Sequence, residues 1–269
     1  MRVSASIIED TINLIKLSAA CVCDRGKIRS NNEDNFYFNG MCLPEQHIGL
    51  VEPMLMNRVL RSGEYMAVFD GMGGGDYGEA ASYIAASILK SEAKNISTTN
   101  KNADETLNQL CRQMNQTIFN QCEARMCGQM GTTAAIAYFD EHTMWACNVG
   151  DSRIFRLRYG LLEQISCDHT DEQLMIELGI TGRKPYLTQF LGMDPDENYI
   201  VPAITALEIE RGDVFLLCSD GLTDMVPRSD MERIMCQNKN ASECAQALLD
   251  AAIRSGGRDN ITVIICNLE

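Results

Sequence analysis

A chain of 269 residues, 45% of them hydrophobic, is long enough to bury a large core in one α/β or layered α+β domain. Its 23 Lys and Arg residues against 37 Asp and Glu residues give a net charge of −14, and no basic run interrupts this acidity. Because such a charge repels nucleic acid and anionic lipid, the composition argues against a membrane-surface protein and against nucleic-acid binders, including a metal-dependent nuclease.

The twelve cysteines would form a disulfide framework in a secreted chain, but their positions indicate free thiols. Cys147, Cys218 and Cys266 lie in apolar runs, where cysteine behaves as a small hydrophobic residue. No C-x-x-C pair offers a zinc site. Near the N-terminus, Glu9 and Asp10 interrupt any apolar signal region, so we expect a cytoplasmic protein without a membrane-spanning segment.

The first part of the chain predicts two strands joined by a polar loop. One strand runs from Leu17 to Cys23, and an aromatic strand covers Phe36 to Phe38. The loop contains Arg29, followed by the paired acids Glu33 and Asp34. A phosphate-binding guanidinium and a metal-binding carboxylate could converge there, and an exposed turn with a surface ion pair is the alternative.

The segment around residue 70 combines a strong strand signal with a carboxylate and a glycine-rich turn. Residues 65–69 are almost uninterruptedly apolar, and we expect this strand to end at Asp70, because a buried carboxylate needs a partner. The glycines after it allow a positive φ and close approach to an ion or a phosphate.

That turn has two interpretations. Residues 73–78 match the dinucleotide pattern G-x-G-x-x-G, but Asp70 and Asp76 would repel a pyrophosphate, and no strand-ending acid follows about 20 residues later. The other interpretation is a metal-binding carboxylate, which requires further acids from other strand ends.

Residues 40–63 lack a regular pattern and are predicted to form an irregular connection. A small-residue helix from Gly78 to Lys90 and a polar linker over residues 91–101 precede a second helix. Apolar residues of that helix recur at helical spacing and predict a stripe that faces the core. The stripe consists of Leu107, Leu110, Cys111, Met114 and Ile118.

Four short apolar runs within residues 131–165 predict an antiparallel meander. Asp151 lies where the second run ends, in Gly150-Asp151-Ser152-Arg153, as another acid at a glycine-marked strand end. Its alternative role is that of a turn residue paired with Arg153.

From Asp168 to Pro202 the pattern loosens around one short helix near residues 171–178. The acidic stretch from Asp194 resembles the start of a calcium loop, but Tyr199 replaces the required glycine and Thr205 the final glutamate. A long segment without periodicity inside a compact domain is often a binding flap, which is our prediction here.

The last part of the chain repeats the pattern around residue 70. The buried run Val214 to Cys218 leads to Asp220, which is again followed by glycine. Helices near residues 228–235 and 241–254 then precede the final strand, and Asp259 lies at the edge of that strand.

Acids therefore recur beside five strand ends: Glu33 or Asp34, Asp70, Asp151, Asp220 and Asp259. Oxygen ligands without a Cys or His cluster favour Mg²⁺ or Mn²⁺ over zinc. Two such ions can polarise phosphoryl oxygens and supply a bridging hydroxide, so the set predicts hydrolysis at phosphorus.

An ordered series of motifs resembles the metal-dependent protein phosphatases of type 2C in their short bacterial form. In chain order the motifs are Arg29-Ser30-Asn31-Asn32-Glu33-Asp34, Asp70-Gly71-Met72-Gly73-Gly74, Gly131-Thr132-Thr133, Gly150-Asp151-Ser152-Arg153, Leu187 to Gly192, Ser219-Asp220-Gly221-Leu222 and Asp259-Asn260-Ile261-Thr262. The resemblance implies an α+β fold, a four-layer α-β-β-α sandwich of two antiparallel sheets flanked by helices, with residues 1–269 as one catalytic domain.

The resemblance also implies a centre of two Mn²⁺ or Mg²⁺ ions bridged by Asp70. The further ligands that it implies are the Gly71 carbonyl and Glu33 or Asp34 for one ion, and Asp220 and Asp259 for the other. Asp151 would help to hold a third, weaker ion. Arg29 would hold the substrate phosphate bidentately, so Arg29 and Asp70 are the implied catalytic residues. Many eukaryotic relatives carry a histidine at the position of Met72, suggested as a general acid, and its absence leaves the proton donor unassigned.

The implied reaction is hydrolysis of phosphoserine and phosphothreonine by in-line attack of the bridging hydroxide. Its substrates would be proteins phosphorylated by a serine/threonine kinase in bacterial signalling, and we expect a monomer that binds neither nucleic acid nor membrane. The alternative is a catalytically silent module of the same fold that binds phosphoproteins. Loss of a ligand would indicate that module, but every carboxylate position is filled.

Overall fold

Two antiparallel sheets lie face to face in the computed structural model, which describes residues 14–60, 63–72, 77–96 and 102–269. Their strands are β1 (Lys16–Asp24), β2 (Asp34–Tyr37), β3 (Met54–Val59), β4 (Glu64–Met72), β5 (Gly131–Thr132), β6 (Ala134–Phe139), β7 (Thr143–Val149), β8 (Arg153–Arg158), β9 (Leu161–Gln164), β10 (Ala203–Glu208), β11 (Val214–Cys218) and β12 (Ile261–Leu268). The first sheet has the order β3-β1-β12-β11-β8-β9. The second has the order β10-β7-β6-β4-β2, and the short β5 pairs with the end of β4.

Helices cover the outer face of each sheet. The helices of the described residues are α1 (Gly78–Ile96), α2 (Ala103–Arg125), α3 (Glu172–Leu178), which lies in the predicted flap, α4 (Asp220–Thr223), α5 (Arg228–Gln237) and α6 (Ala241–Arg254). Helices α1 and α2 pack on the second sheet, and α4, α5 and α6 pack on the first. The predicted four-layer α-β-β-α sandwich is therefore confirmed, and the predicted core stripe of α2 is buried against the second sheet.

The central strands are apolar runs because both of their faces are covered. In β1, Leu17, Ala19 and Cys21 face the core between the two sheets. Ala20 and Val22, at the alternate positions, face the helices on the outside of the first sheet. Alternate side chains of this strand therefore face two apolar environments, and neither face is turned to water. All twelve cysteines are free, as predicted.

The connection predicted over residues 40–63 contains a strand. Strand β3 pairs antiparallel with β1 at the edge of the first sheet. Its side chains are mostly exposed, and only Met56 is buried. Backbone hydrogen bonds to β1 hold this strand, so its sequence does not need the alternation on which the prediction depended.

Two other boundaries differ from the prediction. Helix α1 continues to Ile96, beyond the expected end at Lys90. Strand β4 does not end at Asp70 but continues to Met72, because β5 supplies it with a pairing partner at Gly71 and Met72. The predicted glycine turn over residues 73–76 lies outside the described residues.

The predicted single meander over residues 131–165 is wrong. Strands β6 and β7 form a hairpin in the second sheet, whereas β8 and β9 form a hairpin in the first. The chain crosses between the sheets at Gly150, whose φ of 97° is accessible mainly to glycine. This crossing carries Asp151 to the end of the sandwich where the other acids lie.

Candidate metal centre

A cavity of about 490 Å³ opens at one end of the sandwich. The predicted site residues that line it are Arg29, Glu33, Asp70, Gly71, Asp151, Asp220 and Asp259. Lys184, Tyr186 and Phe190 of the predicted flap line the same cavity. Acids from the end of β4, from the start of α4 and from the loops before β2, β8 and β12 therefore surround one space.

Backbone contacts with the Gly131-Thr132-Thr133 motif hold Asp70 in place. Its N–H donates to Thr133 Oγ1 at 3.0 Å, and its carbonyl accepts from the Thr133 N–H at 2.9 Å and from Thr132 Oγ1 at 3.0 Å. The Thr133 hydroxyl also contacts Ser152 Oγ at 2.6 Å, which connects Asp70 to the segment that carries Asp151. The two threonines thus fix the central carboxylate without occupying its oxygens.

Gly71 is required because of close backbone packing, not because of its φ. A Cβ atom at this position would lie 2.2 Å from the Gly78 carbonyl oxygen and 2.5 Å from the Glu33 carbonyl oxygen. The Gly71 N–H donates to that Glu33 carbonyl at 3.0 Å. The first turn of α1, the end of β4 and the Glu33 loop can therefore meet only at glycine.

The paired acids Glu33 and Asp34 point to different environments. Glu33 lines the cavity, whereas Asp34 is buried, with 1% of its surface exposed. Asp34 Oδ2 accepts hydrogen bonds from Ser219 Oγ and Thr262 Oγ1, both at 2.7 Å. Burial raises the pKa of Asp34 to about 7, and the two hydroxyl groups oppose that rise. Asp34 thus connects β2 to the ends of β11 and β12 behind the cavity.

Asn260 holds the loop that carries Arg29 and Glu33, a role that the sequence did not indicate. Its Oδ1 accepts from the Glu33 N–H at 2.8 Å, and its Nδ2 donates to the carbonyls of Arg25 and Asn31, both at 2.9 Å. Because Asn260 follows Asp259 in the chain, its side chain connects the loop that carries Arg29 and Glu33 to the segment that carries Asp259. The only sequence signal was its place in the Asp-Asn motif.

Among the described residues, Arg29 and Lys184 form ion pairs with acids that line the cavity. Arg29 Nη2 donates to Asp259 Oδ2 at 2.7 Å, so the predicted phosphate-binding residue lies beside a predicted metal ligand. Lys184 Nζ contacts Asp220 Oδ2 and, at 2.8 Å, Asp224 Oδ2. Burial lowers the pKa of Lys184, but the two carboxylates outweigh this effect and hold the pKa above its usual value. Sequence reasoning missed Lys184 because it stands in the flap, where no pattern marks it.

The acids act on one another electrostatically. Burial raises the pKa of Asp70 well above its usual range, and further increases come from Asp220, Asp34, Asp151 and Asp259. Burial and the charge of Asp220 raise the pKa of Asp151 to about 6, whereas the charge of Lys184 lowers it. The protein thus holds carboxylates together against their repulsion, which divalent cations would relieve.

The donor chemistry fits hard divalent ions. Carboxylate oxygens and a backbone carbonyl are ligands that Mg²⁺ and Mn²⁺ accept. Buried Glu79 Oε2, whose charge acts on Glu33, has no hydrogen-bond partner among the described residues. Within that same part of the chain, no three His, Cys, Asp or Glu side chains converge tightly enough to enclose an ion by themselves. An ion held here would therefore complete its shell with water, as Mg²⁺ usually does.

Comparison with known proteins gives a consistent result. A family model described as protein phosphatase 2C matches residues 55–253. The serine/threonine phosphatase stp of Listeria monocytogenes is 32% identical over 259 residues, which cover 90% of this chain and 92% of that protein. The serine/threonine protein phosphatase PstP of Mycobacterium tuberculosis is 30% identical over 265 residues, covering 94% of this chain and 45% of that protein.

Solved structures resemble the fold over nearly its whole length. The crystal structure of the PstP catalytic domain in complex with two manganese ions gives a TM-score of 0.76 at 28% identity, covering 94% of this chain and 99% of that one. Among the helices that the structure describes, none has the length and apolar character needed to cross a membrane.

Proposed function

The chain belongs to the protein phosphatase 2C family, and we propose that it hydrolyses phosphoserine and phosphothreonine in proteins at the acidic cavity, with Mn²⁺ or Mg²⁺ as cofactor. One observation carries this proposal. Acids from separate elements surround one cavity of about 490 Å³ that also contains Arg29. A cluster of this kind supplies oxygen ligands for cations together with a guanidinium suited to a phosphate.

Bound divalent ions would supply positive charge for the phosphoryl oxygens and lower the pKa of water. The residues that would hold them are Asp70 between two ions, Glu33 and the Gly71 carbonyl on one, and Asp220 and Asp259 on the other. We place Glu33 rather than Asp34 in this set, because Asp34 is buried and already accepts two hydroxyl hydrogen bonds. Asp34 is a positioning residue in this scheme.

Arg29 would orient the substrate. Its guanidinium is half-exposed and lies 2.7 Å from Asp259, so it can present a planar pair of donors to a phosphate entering beside the ion ligands. Among the described residues that line the cavity there is no histidine, and Met72 occupies the wall next to Gly71. We therefore assign protonation of the leaving alkoxide to solvent water in the cavity.

The wider biological assignments are also proposals. We propose one catalytic domain over residues 1–269, because both sheets contribute side chains to the apolar cluster that lies between them. The substrates would be phosphoproteins made by a serine/threonine kinase. Twelve free cysteines support a reducing, cytoplasmic environment, and the net charge of −14 supports a monomer.

A phosphate-release assay tests this function. The protein is incubated with a phosphothreonine peptide in Mn²⁺, then in EDTA, and then in EDTA followed by excess Mn²⁺. We expect release only in the first and third conditions. The Asp220→Asn variant, matched in volume, serves as the control for a contaminating phosphatase. If the peptide binds in Mn²⁺ but no phosphate is released, the silent phosphoprotein-binding module is the better description.

A further inference from the structure

The ammonium group of Lys184 lies in an acidic chamber next to the main cavity. This chamber, of about 160 Å³, shares Asp151, Lys184 and Asp220 with the main cavity. Its other charged residues are Arg153, Asp168, Glu172 and Asp224. Carboxylates therefore outnumber cations in the chamber, and each cation has a defined set of partners.

The two cations of this chamber, Arg153 and Lys184, form ion pairs with different carboxylates. Arg153 is paired with Asp168, at 2.7 Å between Nη2 and Oδ2. Lys184 Nζ bridges Asp220 and Asp224, and its charge also acts on Asp151. Of the cations that line this chamber in the described part of the chain, Lys184 alone contacts Asp220.

The flap holds Lys184 in position through the residues around it. Arg183 forms an ion pair with Asp171 and lies over the ring of Tyr186, 4.1 Å from its centroid. The Tyr186 N–H donates to Asp171 Oδ1 at 2.7 Å, and Pro185 restricts the backbone between Lys184 and Tyr186. Although 49% of the Lys184 side chain is exposed, its point of attachment is thus fixed on both sides.

We propose that Lys184 is a built-in cation that takes the place of a third divalent ion between Asp151, Asp220 and Asp224, so that this enzyme binds two ions and not three. The inference rests on the proposed function, in which Asp220 is a metal ligand. An ammonium that already bridges Asp220 and Asp224 repels a dication from the same oxygens and occupies their lone pairs. A divalent ion could enter only after the flap lysine had left.

Counting bound ions tests the inference without relying on turnover. Mn²⁺ per chain is measured by equilibrium dialysis with elemental analysis, across a range of free Mn²⁺, for wild type, Lys184→Met and Lys184→Arg. We expect two ions for wild type and for Lys184→Arg, which keeps the charge. Lys184→Met should bind a third ion, with an affinity for that site more than about tenfold above that of wild type, because a unit charge next to a dication is removed.

Two further variants locate the effect. Lys90→Met makes the same charge change at an exposed helix position outside both cavities, and its count should stay at two. Asp224→Asn in the Lys184→Met background should return the count from three to two. Circular dichroism spectra and melting curves verify that each variant is folded.

The outcomes separate the two proposals. A wild-type count of three, or a count of two in Lys184→Met, overturns the role of Lys184 and leaves the proposed function intact. A count of two in Lys184→Met together with weaker binding of inorganic phosphate would instead make Lys184 a phosphate-binding residue and also overturns the inference. A wild-type count below two contradicts the two-ion centre itself, and the inference fails with it.

Discussion

Replacing Gly71 by alanine should damage both stability and metal binding, because the packing at this residue leaves no room for a side chain. The added Cβ would lie 2.2 Å from the Gly78 carbonyl oxygen, where an ordinary contact is at least 3.4 Å, a shortfall of 1.2 Å. The second contact, 2.5 Å to the Glu33 carbonyl oxygen, is also with backbone. No side-chain rotation can relieve either contact, so β4 must separate from the Glu33 loop or from α1.

The expected cost follows from that displacement. Overpacking of a rigid site costs typically about 1–3 kcal/mol, and the two backbone clashes place Gly71→Ala toward the upper end of that range. For a chain of this size each kcal/mol lowers Tm by about 2–4 °C, so Tm should fall by roughly 4–12 °C. Because Gly71 and Glu33 are proposed ligands of the same ion, the Mn²⁺ affinity should also decrease, by more than about tenfold.

Gly128→Ala is the matched control, since a Cβ at Gly128 would meet nothing within 4 Å and its φ is not positive. This change should alter stability by less than about 1 kcal/mol. Melting curves of wild type and both variants in EDTA and in Mn²⁺ measure stability and metal response together. A Gly71→Ala protein that melts within 1 °C of wild type, with an unchanged Mn²⁺ response, would refute the argument from packing.

Four further changes probe the centre. Asp220→Asn or Asp259→Asn should abolish phosphate release from a phosphopeptide while the protein stays folded, and wild-type turnover at saturating Mn²⁺ would remove that residue from the ligand set. Arg29→Ala should lower kcat/KM on a phosphopeptide, and Arg29→Lys should rescue only part of it, because an ammonium cannot reproduce a bidentate contact; full rescue would argue against that contact. Mn²⁺ should raise the Tm of wild type, and Asp70→Ala should lose most of that rise while melting no lower than wild type in EDTA; a retained Mn²⁺ response would exclude the bridging role. In EDTA the wild type should become more stable as pH falls from about 7 to about 5. Burial raises the pKa of Asp34 to about 7, so in this range the native state binds a proton that the unfolded state, with a pKa near 4, does not bind. Melting curves of wild type and Asp34→Asn across this pH range test the expectation, since the variant should lose part of the dependence of Tm on pH.

Local patterns predicted most of the elements. The apolar run before Asp70, the helical spacing of Leu107 and Met114 and the acids at strand ends all reflect choices made within a few residues. Strand and helix periodicities are properties of the local backbone, so they can be recognised without knowing the partners. The order of the motifs then indicated the family and, through it, the arrangement of the layers.

Local patterns did not predict how the elements are arranged at the cavity. Strands β7 and β8 follow each other in the chain, yet they belong to different sheets, because Gly150 allows the chain to cross between them. Likewise, Glu33 and Asp34 are adjacent and chemically similar, but one lines the cavity and the other is buried against Ser219 and Thr262. Which acid faces the cavity depends on packing against strands that lie about two hundred residues away.

The sequence by itself therefore determined most of the elements, the kinds of ligand and the chemistry that they favour. Only the tertiary structure placed Lys184 on Asp220 and Arg29 on Asp259, contacts that span 36 and 230 residues. The physical reason is that the spacing of apolar residues along a helix or strand indicates which face of that element is buried. An ion pair between distant segments produces no periodic pattern in the sequence of either segment.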